Sequence, residues 1–193
     1  MACSVIALAI IAERLWALRR PRVAPEDLVI EVWQATKAGE LSEHNIEQIR
    51  SGSALGRILA AGLSNRHLDR VRAKEAIEEV GRSVVHELER YLTTLGTIAS
   101  ITPLLGLLGT VIGMIKVFAV ITTQGVGDPS VLAGGISEAL ITTATGITVA
   151  IPSLFFYRLL RGRVDTLVIT MEQEALKMLE ALRLEGQLGG GGR

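Results

Sequence analysis

The stretch that decides the fold is Thr102–Tyr157, TPLLGLLGTVIGMIKVFAVITTQGVGDPSVLAGGISEALITTATGITVAIPSLFFY. Two long apolar segments flank a short turn, Gly125–Ser130, that carries Gly, Asp and Pro. Between Tyr91 and Tyr157 the only formally charged residues are Lys116, Asp128 and Glu138. Asp128 belongs to the turn. Lys116 lies about six residues from the outer end of its segment, close enough for its amine to snorkel to an interface. Pairing of Lys116 with Glu138 is open. Glu138 is thus left inside a segment with the length and hydropathy of a membrane span.

The depth of that carboxylate follows from helix geometry. Asp128-Pro129 reads as an N-cap followed by Pro at the first helical position. Glu138 is nine residues farther on, about 14 Å along the axis, near the middle of a bilayer about 30 Å thick. An ionised carboxylate there costs several kcal/mol unless it is paired or hydrated. It therefore faces a protein interior or takes up a proton. Gly135, Thr142 and Thr145 share its helical face at spacings of three, four and seven. Thr143 lies about 140° around the helix, toward another neighbour. Protonatable group and hydroxyls together suit a proton relay. The competing account makes Glu138 structural glue, hydrogen-bonded to an adjacent helix.

On the preceding segment, Gly106, Gly109, Thr110 and Gly113 occupy one face. Small residues so arranged let membrane helices approach closely. Tight packing alone explains all four, and a polar path lined by the Thr110 hydroxyl is the alternative. Pro152 is expected to kink or loosen the third span.

Outward from this core the composition changes sharply. Charge is concentrated at 13–90 and 158–185. The balance of 20 basic and 20 acidic residues describes those parts, and no basic stripe points to nucleic acid. A single cysteine, Cys3, excludes an internal disulfide. His44, His67 and His86 follow no metal-ligand spacing, and no phosphate loop or nucleophile–base pair is visible. The expectation is a protein that is not an enzyme and needs no metal or cofactor.

Residues 1–12, MACSVIALAIIA, are apolar and are followed by Glu13, Arg14, Arg19, Arg20 and Arg22. A secretory signal has its positive charges first, so this is the reverse order. Twelve helical residues span only about 18 Å. The simplest account is the last half of a transmembrane helix whose beginning precedes the chain. Arg14–Arg22 and Arg158–Arg163 follow the first and last spans, whereas the central turn has no Lys or Arg. The positive-inside rule puts both arginine clusters in the cytoplasm and the turn outside. Three spans, an external N-terminus and a cytoplasmic C-terminus result.

The insert reads as short helices followed by a long one. Pro25-Glu26-Asp27 suggests an acidic first turn of a helix ending near Gly39. Ser42 and Ser53 are N-cap candidates for helices at 43–51 and 54–63. Ile77, Val80, Val84, Leu88, Tyr91, Leu95 and Ile98 form an amphipathic seam that predicts one unbroken helix from about Asn65 into the membrane. Val164, Val168, Met171, Ala175, Met178 and Leu182 repeat as heptads, predicting a helix that leaves the membrane unbroken until Gly186. The division is a partial first transmembrane helix at 1–12, a cytoplasmic helical insert at 13–90, transmembrane helices at 91–123 and 129–157, a cytoplasmic C-terminal helix at 158–186 and a flexible tail at 187–193. The fold class is all-α, a helical integral membrane protein with long helices extending into the cytoplasm.

The strings PLLGLLGTVIGM and GGISEALITTATGITVAIP resemble the MotA/TolQ/ExbB proton-channel family, and its three-span ExbB/TolQ branch most closely. ERLWALRR after the first span fits as well. The resemblance implies a homopentamer around two copies of a single-span ExbD- or TolR-like subunit that brings a membrane aspartate. It also implies location in the bacterial inner membrane, and proton-driven work on a TonB- or TolA-like protein. Residue by residue, it matches Thr110 to the polar position of the GLxGT motif and Glu138 to the membrane glutamate. Thr143 matches the third-span threonine, and Pro103 the proline that opens the second-span motif. The helical wheel favours Thr142 and Thr145 beside Glu138, whereas the resemblance favours Thr143. A reading from a different class is a passive membrane scaffold, with Glu138 serving only packing.

Overall fold

In a computed structural model, residues 2–38, 42–65, 70–125 and 129–190 are described, and among them every regular element is helical. The order is α1 (Ala2–Ala17), α2 (Arg20–Val23), α3 (Leu28–Lys37), α4 (Glu43–Gly52), α5 (Ala54–Ser64), α6 (Arg70–Leu88), α7 (Leu92–Gln124) and α8 (Pro129–Gly190). The chain divides into two compact units, Met1–Arg14 with Tyr91–Leu160 and Leu15–Arg90 with Arg161–Arg193.

The second unit is built around α5. From Ala54 to Leu63 every residue of this helix except Arg57 is buried. A helix that is apolar nearly all round must be enclosed on several sides. Helix α6 turns Ala73, Ile77, Val84 and Leu88 inward. The later part of α8 contributes Val164, Leu167, Met171, Ala175 and Met178. The three helices meet at Gly62, where an added Cβ would lie 3.1 Å from Ile77 Cδ1 and 3.5 Å from Met178 Cε. A salt bridge of 2.7 Å from Arg57 to Glu87 ties α5 to α6. The heptad seam thus has its neighbour, with Leu167 buried beside a half-buried Val168. Leu182 is among the residues whose side chains are not described.

Both serine caps form. The Ser42 hydroxyl accepts from the Asn45 amide at 3.3 Å, and that of Ser53 accepts from the Gly56 amide at 3.0 Å. Helix α3 begins at Leu28, so Pro25, Glu26 and Asp27 precede it and do not form its first turn. It runs to Lys37; the expected stop at Gly39 lies outside the described residues.

The expected continuous helix through Tyr91 is interrupted. Helix α6 ends at Leu88, α7 starts at Leu92, and Tyr91 adopts the left-handed conformation (φ 64°). A residue there cannot extend the right-handed hydrogen-bond ladder. At the break Leu92 takes the buried place expected of Tyr91, 3% against 43% exposed, while Leu95 and Ile98 are buried as the seam requires. The Tyr91 ring lies 5.6 Å from the Arg14 guanidinium, and Arg14 is itself buried.

The first unit has an inverted surface. Helices α7 and α8 contain the two stretches, Leu92–Thr123 and Pro129–Ala181, long and apolar enough to cross a membrane, with mean hydropathy of 2.3 and 1.7 in their richest windows. Only 17% and 22% of those windows is buried within the chain, so most of their apolar surface points outward. Pro103 and Pro152 both lie inside helices that continue past them. The helix stop expected at Gly186 is passed, α8 continuing to Gly190.

Candidate functional site

Helices α7 and α8 pack antiparallel through their small residues. A Cβ added at Gly135 would lie 2.5 Å from Val117 Cγ2, and one at Gly113 2.7 Å from Ala139 Cβ. One at Gly109 would meet Thr142 Oγ1 at 2.3 Å, and one at Gly106 the Thr143 Cα at 3.0 Å. Numbers fall along α7 as they rise along α8, so these contacts form one continuous seam. Hydrogen in place of a side chain is what permits such approach. Gly146, which the sequence reading passed over, closes the seam. Its Cβ would sit 2.8 Å from the Thr102 carbonyl oxygen and 3.1 Å from Gly106 Cα. Its place three residues beyond Thr143 was the available signal. Pro103 is half-buried, whereas Pro152 is exposed.

The hydroxyls separate into two groups. Thr143 donates across the seam to the Gly106 carbonyl at 2.9 Å. Thr110, Thr142 and Thr145 donate within their own helices, to Leu107 O at 2.6 Å, Ala139 O at 2.7 Å and Ile141 O at 2.8 Å. In lipid, where water is absent, such bonds satisfy a hydroxyl that has no other acceptor. Thr142 is half-buried against Gly109, whereas Thr145 is exposed. The face shared by Gly135, Thr142 and Thr145 is therefore divided between the seam and the outer surface.

Glu138 stands at the edge of the seam, next to buried Ala139. Its side chain is 68% exposed, and Lys116 Nζ on α7 lies 3.8 Å from its Oε1. The sequence left this pairing open. A signal was available: Lys116 precedes the 125–130 turn by nine residues and Glu138 follows it by eight, so an antiparallel hairpin sets them level. The Asp128 cap falls outside the described residues, and Pro129 is the first residue of α8. Among the described residues no group of three or more His, Cys, Asp or Glu side chains could hold a metal ion.

The arrangement is a close-packed hairpin with one acid and one base on its outer flank. Residues 50–173, from the last turn of α4 into α8, match the model of the MotA/TolQ/ExbB proton channel family. The chain belongs to this family. Among its relatives, biopolymer transport protein exbB1 of Vibrio cholerae is 31% identical over 177 residues, covering 88% of this chain and 76% of that protein. The biopolymer transport protein ExbB-like 1 of Synechocystis is 36% identical over 165 residues, 81% of this chain and 63% of its own length. The Tol-Pal system protein TolQ of Haemophilus influenzae is 37% identical over 83 residues, 43% of this chain and 36% of TolQ. The chain therefore spans between about a third and three quarters of the length of these three relatives.

Proposed function

We propose that this chain is a proton-channel subunit of an ExbB–ExbD- or TolQ–TolR-type complex in the bacterial inner membrane, and is not an enzyme. Five copies surround two copies of a single-span ExbD- or TolR-like subunit, and proton flow does work on a TonB- or TolA-like envelope protein. Helix α7 and the first part of α8 cross the membrane, and α1 contributes to a third span. The arginines after α1 and at 158–163 lie in the cytoplasm, the 125–130 turn and the N-terminus in the periplasm. Helix α8 far exceeds the ~20 residues a bilayer requires, so its remainder joins the cytoplasmic unit.

The observation that carries this reading is Glu138, a carboxylate on the outer flank of a hairpin whose interior is already filled. Gly106, Gly109, Gly113, Ala139 and Gly146 close the seam without it. An acid outside the packed seam, at membrane depth and exposed beside Lys116, suits transfer of a proton to a neighbouring subunit or pore. Thr145 shares the exposed flank, Thr110 and Thr142 border it, and Thr143 braces the helices from within. Gly135, Pro103 and Pro152 complete the scaffold of the pathway. The passive-scaffold alternative asks Glu138 to stabilise helix packing, and its contact across the hairpin is the exposed 3.8 Å pair with Lys116.

Affinity purification from the native membrane, followed by native mass spectrometry, tests the assignment. Five copies with two of a single-span, Asp-bearing protein are expected. A homo-oligomer lacking such a partner would favour the scaffold.

A further inference from the structure

Immediately after the apolar run of α1 the chain places a cluster that the ion pathway does not use. Trp16 is 57% exposed, and the Arg22 guanidinium carbon sits 3.8 Å from its ring centroid. Arg19 and Arg20 are exposed beside them. The three arginines are held on a fixed corner. Leu18, Val23 and Ala24 are buried to 0%, 4% and 4% exposure, and α2 packs on α5. Pro21 sets the first turn of α2. With its apolar neighbours buried, the corner turns its guanidinium groups outward.

Charge in this corner is poorly balanced. Arg20 meets Glu26 at 3.3 Å in an exposed pair, worth little in water. Arg19 and Arg22 have no carboxylate partner among the described residues. Arginine forks match phosphate oxygens, and an indole half in and half out of hydrocarbon is the typical occupant of the headgroup layer. Stacking on Trp16 orients Arg22 while leaving its edge N–H groups free to donate.

We propose that Trp16, Arg19, Arg20 and Arg22 form a binding site for anionic phospholipid headgroups on the cytoplasmic leaflet. The site rests on the reading above that α1 ends at that membrane face. Its occupant follows from three features together: excess positive charge, an exposed indole beneath a guanidinium, and direct continuity with an apolar helix. An acidic protein surface would satisfy the first feature and has no need of the other two.

The test uses the full chain in phosphatidylcholine vesicles containing phosphatidylglycerol. The W33F variant leaves Trp16 as the only tryptophan. Its fluorescence is compared with bromine on the acyl chains of one lipid or the other at equal molar fraction. The site predicts that brominated phosphatidylglycerol is enriched around Trp16 by at least about fivefold, the worth of one arginine near an anionic surface. R22Q reduces that enrichment and R19Q/R20Q/R22Q removes it, with α-helical circular dichroism unchanged. Equal quenching by both lipids would overturn the headgroup site, leave the membrane reading intact and point to an acidic protein partner. No quenching by either would overturn the placement of α1 at the membrane face, and the site with it.

Discussion

The two units of this chain solve the packing problem in opposite ways. Around α5, large aliphatic side chains go inside: Leu55, Leu59 and Leu63 are at most 1% exposed. Between α7 and α8 the interior holds Gly106, Gly113, Ala139 and Gly146, while Leu104, Leu107, Leu108 and Ile115 are 52–63% exposed. In water the hydrophobic effect drives large side chains inward. In lipid that drive is absent between helices, and close backbone approach decides the interface. The same residue type therefore carries different weight in the two regions, and so does a charge. Lys116 and Glu138 are placed on the exposed flank of the hairpin.

Substitutions can break this contrast directly. The largest effect is expected at Gly146. A valine there drives its Cβ to 2.8 Å from the Thr102 carbonyl oxygen, and backbone cannot step aside as a side chain can. Overpacking costs about 1–3 kcal/mol where side chains can shift, and more where, as here, the obstacle is backbone. The G146V chain should lose its folded hairpin, read as protease sensitivity in isolated membranes. Leu59→Ala comes next. Emptying a fully buried leucine site costs about 2–5 kcal/mol, measurable as a lower thermal midpoint in detergent. Leu108→Ala, at a leucine 52% exposed, should change that midpoint hardly at all, by about 0.5 kcal/mol or less. Equal losses at Leu59 and Leu108 would contradict the distinction between the units. Thr143→Val, which removes the hydroxyl bond to Gly106 while keeping the shape, falls between the two leucine variants. A loss of about 1 kcal/mol is expected, read from the same unfolding curve.

Much of this organisation was legible in the sequence because it is periodic. Glycine spacing marked the face of α7 that closes on α8, and Ser42 and Ser53 marked helix starts through their short acceptor side chains. Family membership followed from the same strings. What stayed hidden depends on residues distant in sequence. Tyr91 carries no mark of its left-handed backbone, because tyrosine has no preference for that region and only tertiary context holds it there. The level pairing of Lys116 with Glu138 depends on the register of the hairpin. Among the threonines, the wheel grouped Thr142 with Thr145. Contact with Gly109 separates them, and the bond of Thr143 to Gly106 could not be read from α8 alone.

The central claim is that Glu138 moves protons and does not hold helices together. Its most direct test is proton flux into vesicles containing the proposed complex, under an imposed membrane potential, for the parent chain and for Glu138→Gln and Glu138→Ala. The account predicts that both variants assemble with unchanged stoichiometry and conduct no protons above the lipid background. Flux retained by Glu138→Gln would contradict it, because glutamine keeps the hydrogen bonds of a packing residue and cannot exchange the proton.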